Sequence, residues 1–287
     1  MADPPGVTLP SGRPALLASD LDGTLLREDG SISARTRAAI HAAQEVGIGV
    51  LFVTARPPRW LASVADAVGG HGTVIAGNGA WVYDVHGRRV TQERGFDRTQ
   101  VLGLVRRLRR ALPDVGFAAE RASGPHIEAV FHARHPESDP AGAVAGPIEG
   151  LSGETVGKLL ATAPGLSDDE LLARVGAVVG SGGVLAYSGA PGLAEISAPG
   201  VTKAAALARW CAAHGIPAGA VWAFGDMPND LPMLRWAGAS FAVANAHADV
   251  HNEATHRCPS NENDGVAQVV EALLGRFTPR VQRVTRE

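Results

Sequence analysis

Short apolar runs alternate with amphipathic stretches over the first part of the chain. The run at 15–19 and the run "IGVLFVT" are aliphatic and β-branched, which is typical of parallel strands covered on both faces. Between them, "SARTRAAIHAAQEVG" has a helical apolar face, with Ser33 as the expected N-cap and Gly47 as the stop. "ARPPRWLASVADAVG" then predicts a helix, and "GTVIAGNGAWVYD" predicts further strand.

The same alternation returns after residue 200. "VTKAAALARWCAAHG" and "DLPMLRWAG" predict helices, and "AVWAFGD" and "SFAVANA" predict strands. Strands that alternate with helices favour a doubly wound α/β unit, a Rossmann-like core whose sheet is mostly parallel. We therefore expect the two ends of the chain to form one core.

The middle of the chain has a different pattern. It contains two predicted helices ("RTQVLGLVRRLRRAL" and "SDDELLARVGAVVG") and several short predicted strands ("GFAAE", "IEAVFH", "GKLLAT", "VLAYSG" and "LAEISA"). The stretch "ARHPESDPAGAVAGPIEGLSGET" is rich in Pro and Gly and predicts a long loop. The middle therefore indicates an inserted α+β domain.

These patterns predict a divided core with an inserted cap. We expect core segments at 14–83 and 198–275, an inserted cap domain at 84–197, and flexible termini at 1–13 and 276–287. At 287 residues, the chain has the length of about two domains.

Composition excludes some functional classes. A net charge of −3 argues against a broad nucleic-acid surface, and no apolar run is long enough to span a membrane. The two cysteines are far apart in the sequence, which favours unpaired thiols in a reducing compartment. We therefore expect a cytoplasmic protein. The sequence does not indicate an oligomeric state.

Polar residues follow the predicted strands at several points. "DLDGT" begins at Asp20, Thr54 ends the second strand, Lys203 opens a helix, and "GDMPND" follows a later strand. The carboxyl ends of parallel strands face one crevice, where ligands bind. We therefore expect a hydroxyl, an ammonium and several carboxylates to share one pocket.

Electrostatics predicts what else this pocket contains. Like charges about 4 Å apart repel by roughly 4 kcal/mol at an effective dielectric near 20. Asp20, Asp22 and Asp226 therefore require a cation, and Mg²⁺ suits an open oxygen-lined site that accepts phosphate. Lys203 and Thr54 have the chemistry of phosphate holders.

Each motif alone has a simpler interpretation. Asp-x-Asp-Gly marks many turns and also resembles the metal-binding motif of some sugar transferases. Thr54 alone fits a strand-end turn, Lys203 a solvated helix start, and "GDMPND" a turn before a helix. Their joint occurrence, in this order and at strand ends, favours one catalytic site.

Four motifs together resemble those of the haloacid dehalogenase-like phosphohydrolases: "DLDGTLL", "VTAR", "GVTKAAAL" and "GDMPNDLPML". The large insertion is similar to that of the Cof-type branch, as are "GNGAWVYD", "LAEISAPGVTK", "VANAHADV" and "NENDGVA". The resemblance extends from about residue 14 to 275. It implies a Mg²⁺-dependent phosphatase that hydrolyses small phosphorylated, sugar-phosphate-like metabolites through an aspartyl-phosphate.

The resemblance also implies roles for individual residues. Asp20 is the expected nucleophile, and Asp22 is the expected general acid and base. The metal is expected on the carboxylates of Asp20 and Asp226 and on the backbone carbonyl of Asp22. The groups expected to bind the phosphate are Thr54, the amide of Ala55, Lys203 and Asn229. Asp230 is expected to orient Lys203. Arg56 and Asn78 are candidates for contact with the leaving group.

Other functions use similar residues. A phosphomutase would have the same nucleophile and acid but return the phosphoryl group to its substrate. A phospho-receiver also combines an acidic pair, Thr and Lys, but it lacks a large insertion. A non-catalytic sugar-phosphate sensor is disfavoured because no motif residue is missing.

Overall fold

The structure, a computed structural model, describes residues 8–61, 72–136 and 143–277. Within these ranges the strands form two sheets. The strands are β1 (Leu16–Ser19), β2 (Gly49–Val53), β3 (Thr73–Ala76), β4 (Trp81–Asp84), β5 (Arg89–Glu93), β6 (Gly116–Glu120), β7 (His126–Ile127), β8 (Val144–Ala145), β9 (Lys158–Thr162), β10 (Val184–Ala186), β11 (Ala194–Ser197), β12 (Val221–Gly225), β13 (Ala239–Val243) and β14 (His256–Cys258). The α-helices are α1 (Ala34–Glu45), α2 (Arg98–Ala111), α3 (Ala129–Arg134), α4 (Asp168–Val179), α5 (Lys203–Ala213), α6 (Leu231–Trp236), α7 (Ala248–Glu253) and α8 (Gly265–Phe277).

The larger sheet has the strand order β14-β13-β12-β1-β2-β3-β4-β5. Its strands from β14 to β3 are parallel. The order progresses outward in both directions from β1, which pairs with β2 on one side and β12 on the other. This reversal creates the crevice in which open α/β sheets bind ligands. The predicted doubly wound, mostly parallel core is confirmed.

Helices cover both faces of this sheet. Leu16 and Ala18 pack in one apolar cluster with residues of α5 and α6, and Leu17 packs in another with α1 and α8. Strands buried on both faces read as continuous apolar runs, which explains the sequence pattern of β1 and β2.

Side-chain caps fix where two of the helices begin. The Ser33 side chain accepts a hydrogen bond from the Thr36 amide, as expected for the N-cap of α1. Thr202 caps α5 in the same way, by accepting from the amide of Ala205. This cap places Lys203 at the first position of α5.

The predicted strand "GTVIAGNGAWVYD" is two antiparallel strands. β3 and β4 pair across a turn at Gly77–Gly79, in which Asn78 has φ 56° and Gly79 has φ 101°. The residues on both sides of the turn are mostly apolar, so the composition does not indicate that the chain reverses direction. The left-handed residues of the turn make this reversal possible. β5 then pairs with β4, so strand 89–93 belongs to the larger sheet. The expected domain limits stay a prediction.

The smaller sheet is formed by the middle of the chain, in the order β10-β11-β9-β6-β7-β8. It confirms the expected α+β cap. The predicted strand "IEAVFH" is wrong beyond Ile127, because α3 begins at Ala129. Phe131 of this helix packs against Ile127 and Leu160, and this burial favours the helix over a strand.

The two faces of the cap sheet have different surroundings. Phe117, Leu159 and Ile196 belong to an apolar cluster with residues of α2 and α4. Successive side chains in a strand point to opposite faces, so Glu120, Lys158 and Glu195 point away from these helices. All three are buried. This second face of the cap sheet closes over the core.

Trp81 lies at the junction of the two sheets. A Cβ on Gly77 of the core would lie 2.3 Å from the indole, and a Cβ on Gly157 of the cap would lie 2.2 Å from it. The indole Nε1 donates to Glu93 at 3.0 Å. Because only glycine allows such close approach, these positions hold the ring between cap and core.

Some predictions fall on residues outside the described ranges. They are residues 1–7 and 278–287 of the expected flexible termini, 62–69 of the predicted second helix, and 137–142 of the predicted loop. In the described part of that predicted helix, Pro58–Trp60 forms a 3₁₀ turn. Among the helices that the structure describes, none has the length and apolar character needed to cross a membrane.

Candidate active site

The site forms where β1, β2 and β12 end. Asp20 directly follows β1, Thr54 follows β2, and Asp226 follows β12. The Asp20 amide donates to the carbonyl of Phe224 at 3.0 Å, which continues the pairing of β1 with β12 beyond the last residue of β1. The three strand ends therefore present their polar residues at one edge of the sheet, as expected from the sequence.

Lys203 links two aspartates at this edge. Its Nζ lies 2.5 Å from Oδ1 of Asp20 and 2.7 Å from Oδ1 of Asp230. All three side chains are buried. Burial lowers the pKa of Lys203, but the two carboxylates outweigh this effect and hold the pKa above its usual value. Lys203 is therefore a charged, fixed donor beside Asp20.

Asp230 holds the loop after β12. Its Oδ2 accepts hydrogen bonds from the amides of Asp226 and Met227, both at 3.1 Å. Its other oxygen accepts from Lys203. Asp230 is therefore placed to orient Lys203 and the Asp226 loop.

Asp226 lies against the loop that follows β1. Its Oδ1 accepts from the Thr24 hydroxyl at 2.8 Å. Gly23 has φ 76°, and a Cβ there would lie 2.3 Å from Oδ2 of Asp226. Asn245 donates to the Gly23 carbonyl at 2.7 Å and holds the loop in place. The glycine supplies both the left-handed turn and the space for the carboxylate.

Three carboxylates form the acidic cluster of this site. Oxygens of Asp20, Asp226 and Asp230 lie within 4.8 Å of one another. Burial raises the pKa of Asp20 well above its usual value, although Lys203 opposes the shift. Burial and the charge of Asp230 raise the pKa of Asp226 to about 6.

This donor set fits a hard divalent cation. Three buried carboxylates lie close together, and a single ammonium, that of Lys203, pairs with two of them, so the cluster has an excess of negative charge. The ligands are all oxygens, which Mg²⁺ and Ca²⁺ prefer. Asp230 is already occupied by Lys203 and two amides, so Asp20 and Asp226 are the carboxylates most available to a metal ion.

Asp22 is not part of the acidic cluster. Arg56 donates to its carboxylate from Nε at 2.8 Å and from a terminal nitrogen at 2.5 Å. The Asp22 side chain is 53% exposed, and it lines the same cavity as Asp20. Its side chain is therefore not brought to the other carboxylates, and the expected metal contact through its backbone carbonyl stays a prediction.

The expected phosphate-binding groups lie around the same cavity or directly beside it. Ala55 and Asn229 line it together with Lys203. The buried Thr54 hydroxyl accepts from the Arg56 amide at 3.1 Å, which leaves its own hydrogen available to donate.

Asn78 is buried beside the site rather than at the cavity of Asp20. Its Nδ2 donates to Glu195 at 3.0 Å, and its Oδ1 accepts from Asn229 at 3.2 Å. It lines a neighbouring cavity that also borders Lys203 and Asn229. Asn78 therefore connects a cap carboxylate to a core residue, whereas Arg56 lines the cavity of Asp20 directly.

The cap supplies a wall that the sequence analysis did not identify. Lys158 donates to Glu195 and to the carbonyl of Ala55, each at 2.8 Å, and so joins the cap to the loop after β2. Arg59 contacts Glu120 at 2.5 Å. Each of the three cap residues is a lone charge in an apolar strand, which is the same signal that singled out Asp20.

The cavity between cap and core has a volume of about 210 Å³. Its core side carries Asp20, Asp22 and Lys203, and its cap side carries Glu120, Lys158 and Glu195. The carboxylates and the ammonium on the core side differ from the charged groups on the cap side. The cavity therefore suits a small ligand whose two ends differ in chemistry.

Comparison with known proteins identifies a family. Residues 17–270 match the sequence profile of a family described as haloacid dehalogenase-like hydrolase. Among solved structures, SMU.1108c from Streptococcus mutans UA159 is similar, with a TM-score of 0.79 and 22% identity. The alignment covers 91% of this chain and 99% of that one, and it shows a shared fold.

Two phosphatases of Bacillus subtilis (strain 168) are similar in sequence over most of their length. Both are named 5-amino-6-(5-phospho-D-ribitylamino)uracil phosphatase. YcsE is 27% identical over 256 residues, which cover 89% of this chain and 94% of YcsE. YitU is 28% identical over 272 residues, which cover 90% of this chain and 97% of YitU.

Proposed function

The chain belongs to the haloacid dehalogenase-like hydrolases and is a phosphoric monoester hydrolase, and we propose that it uses Mg²⁺ and an aspartyl-phosphate intermediate. Its substrates are small phosphorylated metabolites of the sugar-phosphate type. The observation that carries the proposal is the contact of Lys203 with Asp20 and Asp230 beside the buried Asp226.

The first step forms a covalent bond to the enzyme. A carboxylate oxygen of Asp20 attacks phosphorus, and the bond from phosphorus to the leaving-group oxygen breaks. Lys203, Thr54, the Ala55 amide and Asn229 hold the phosphoryl oxygens. Phosphoryl transfer depends mainly on such positioning and charge stabilisation.

Asp22 serves both steps as the proton carrier. It protonates the departing alkoxide, and in the second step it takes a proton from the water that attacks phosphorus. The bond from phosphorus to Asp20 then breaks and phosphate leaves. Arg56 donates to Asp22 through two nitrogens and so positions this carboxylate at the cavity.

The metal would be held by Asp20 and Asp226, with the backbone carbonyl of Asp22. When bound, Mg²⁺ shields the negative charges of carboxylate and phosphate from each other. The excess of carboxylates over ammonium groups supports this assignment, and the all-oxygen donor set favours a hard cation.

Sugar-like substrates are supported by the size of the cavity and by the relatives. A volume of about 210 Å³ between cap and core suits a small leaving group. YcsE and YitU are named for a substrate whose phosphate is carried on a ribityl chain, which is a polyol. A cytoplasmic location stays a prediction that the two unpaired, buried cysteines support.

Hydrolysis of p-nitrophenyl phosphate with and without Mg²⁺ tests the proposed function. We expect release of p-nitrophenol that depends on Mg²⁺ and that disappears in the Asp20→Asn variant. Metal-independent release, or full activity of Asp20→Asn, would contradict the proposal. A screen of sugar and polyol phosphates then identifies the substrate class.

A further inference from the structure

Glu120 occupies a special place on the cap sheet. It is the last residue of β6, directly opposite Lys158 of β9, on the face that closes over the core. It lines the cavity that also contains Asp20 and Asp22, and it is 3% exposed. A substrate with its phosphate at Asp20 would extend its leaving group towards this wall.

The hydrogen bonding of Glu120 is incomplete. Its Oε1 accepts from a terminal nitrogen of Arg59 at 2.5 Å, but Oε2 is buried without a partner among the described residues. On Arg59, Nε and the other terminal nitrogen also lack partners there. Buried polar groups are nearly always hydrogen-bonded, so an unpaired acceptor beside unpaired donors calls for a ligand.

A hydroxyl group satisfies both kinds of atom. Its hydrogen donates to a carboxylate, and its oxygen accepts from a guanidinium. A second anion would be repelled by Glu120, and a cation would be repelled by Arg59. Glu120, Lys158 and Glu195 line the cavity, and Arg59 contacts Glu120 without lining the cavity itself. The two positive and two negative charges of this group balance, which favours a neutral leaving group.

Glu128, a second buried cap carboxylate that pairs with an arginine, has hydrogen-bond partners on both of its oxygens. Glu128 accepts from Arg109 and from the Ile148 amide through Oε1, and from the Phe117 amide through Oε2. It does not line the cavity of Asp20. A carboxylate with only a structural role is therefore fully bonded in this cap, and Glu120 is not.

We propose that Glu120, held in place by Arg59, binds a hydroxyl group of the leaving group and so selects neutral, polyhydroxylated phosphomonoesters. This inference rests on the proposed function, because it assumes that phosphate is bound at Asp20. Apolar residues complete the wall: Leu160, Leu193 and Met227 line the cavity, and the partly exposed Trp60 lies at its edge. They would pack against the carbon chain of the substrate.

Two substrates of equal chain length test the inference. D-ribitol 5-phosphate has hydroxyl groups on the leaving group, and n-pentyl phosphate has none. In the unmodified protein we expect kcat/KM to be at least about 10-fold higher for ribitol 5-phosphate, since a site built to bond a hydroxyl disfavours an analogue without it. In Glu120→Gln this ratio should fall about 10-fold, because the charged acceptor is lost.

Two further variants distinguish an effect on hydroxyl recognition from an effect on the stability of the cap. Arg59→Lys keeps the positive charge but removes the donor fork, and it should also lower the ratio. Glu128→Gln is the control for a buried cap carboxylate and should leave the ratio unchanged. If Glu120→Gln does not fold, Arg59→Lys and the unmodified protein still provide the comparison.

The outcomes distinguish this inference from the proposed function. Equal kcat/KM for the two substrates in the unmodified protein, or an unchanged ratio in both variants, overturns the inference while the phosphatase function stands. No hydrolysis of any phosphomonoester contradicts the proposed function instead. In that case, calorimetric binding of the two phosphates to Asp20→Asn still tests recognition, and equal affinities would overturn it.

Discussion

The ammonium of Lys203 lies 2.5 Å from the carboxylate of Asp20, although 183 residues separate them in the sequence. The contact joins the start of the chain to the helix that follows the inserted cap. It places a fixed positive charge beside the expected nucleophile, where phosphoryl oxygens would also bind. Several predictions about catalysis depend on this arrangement.

Replacing Asp20 with asparagine removes the nucleophile but keeps the shape of the side chain. We expect turnover of p-nitrophenyl phosphate to fall at least about 1,000-fold, since loss of a nucleophile is among the most damaging changes in an enzyme. The thermal unfolding midpoint should change little. Asp114→Asn, at an exposed cap position, is the control and should retain full activity.

Asp22→Asn should affect substrates according to their leaving group. An alkyl phosphate needs a proton on the departing oxygen, so its rate should fall about 10²–10⁴-fold. p-Nitrophenolate leaves without a proton, so the first step should be less affected and phosphorylated enzyme should accumulate. Mass spectrometry of the quenched reaction measures this accumulation, and an equal loss of the first-step rate on both substrates would argue against Asp22 as the acid.

Metal removal should abolish activity and also lower stability. Dialysis against EDTA would leave three buried carboxylates close together with one ammonium to balance them, and bound Mg²⁺ would relieve their repulsion. We expect Mg²⁺ to raise the unfolding midpoint of the native protein because it binds only the folded state. In Asp226→Asn the shift should be much smaller, and an identical shift would place the ion elsewhere.

Gly23→Ala should lower stability and activity by more than the positive φ angle of Gly23 alone would explain. Gly23 and Gly30 have φ values of 76° and 77°, but only at Gly23 would a Cβ contact another residue, Asp226. Gly30→Ala should cost about 1–2 kcal/mol of stability from the left-handed conformation. Gly23→Ala should cost more and should also reduce activity. Chemical denaturation and p-nitrophenyl phosphate assays of both variants provide the comparison.

The two thiols should be unreactive in the folded protein. Burial raises the pKa of Cys211 to about 11 and that of Cys258 to about 12, so neither is a thiolate near neutral pH. We expect Ellman's reagent to label neither cysteine in the native state and both in denaturant. The pKa of each buried thiol is higher than the pKa of a cysteine in the unfolded chain. Burial of the two neutral thiols therefore contributes its full stability below about pH 8.5, and this stability is lost as the pH rises through 11 to 12. Rapid native labelling would contradict the prediction.

The grouping of core site residues could be predicted from the sequence for a geometric reason. Asp20, Thr54 and Asp226 directly follow parallel strands, and the ends of such strands meet at one edge of the sheet. Lys203 is the first residue of a helix that begins at the same edge. A polar residue that directly follows a predicted parallel strand can therefore be placed at this edge of the sheet from a single sequence.

The cap wall could not be predicted in the same way. Glu120, Lys158 and Glu195 belong to antiparallel strands, and which face they occupy depends on the pairing register. Their partners Arg59 and Ala55 come from a core loop far away in the sequence. A single sequence gives neither the register nor these long-range contacts.

Errors in predicting local structure had a related cause. "IEAVFH" has the composition of a strand, but the burial of Phe131 beneath the cap sheet favours a helix from Ala129. "GTVIAGNGAWVYD" is mostly apolar on both sides of its turn, so only the left-handed residues of the turn mark the reversal. In both segments tertiary packing decided between conformations that composition left open.

The central position of β1 has a consequence for synthesis of the chain on the ribosome. One hydrogen-bonding edge of this strand belongs to β12, which begins about 200 residues later. Until β12 has been translated, that edge is open to other strands, and pairing between such distant segments is slow. We therefore expect the sheet and its active-site edge to stay incomplete until the last quarter of the chain has been translated.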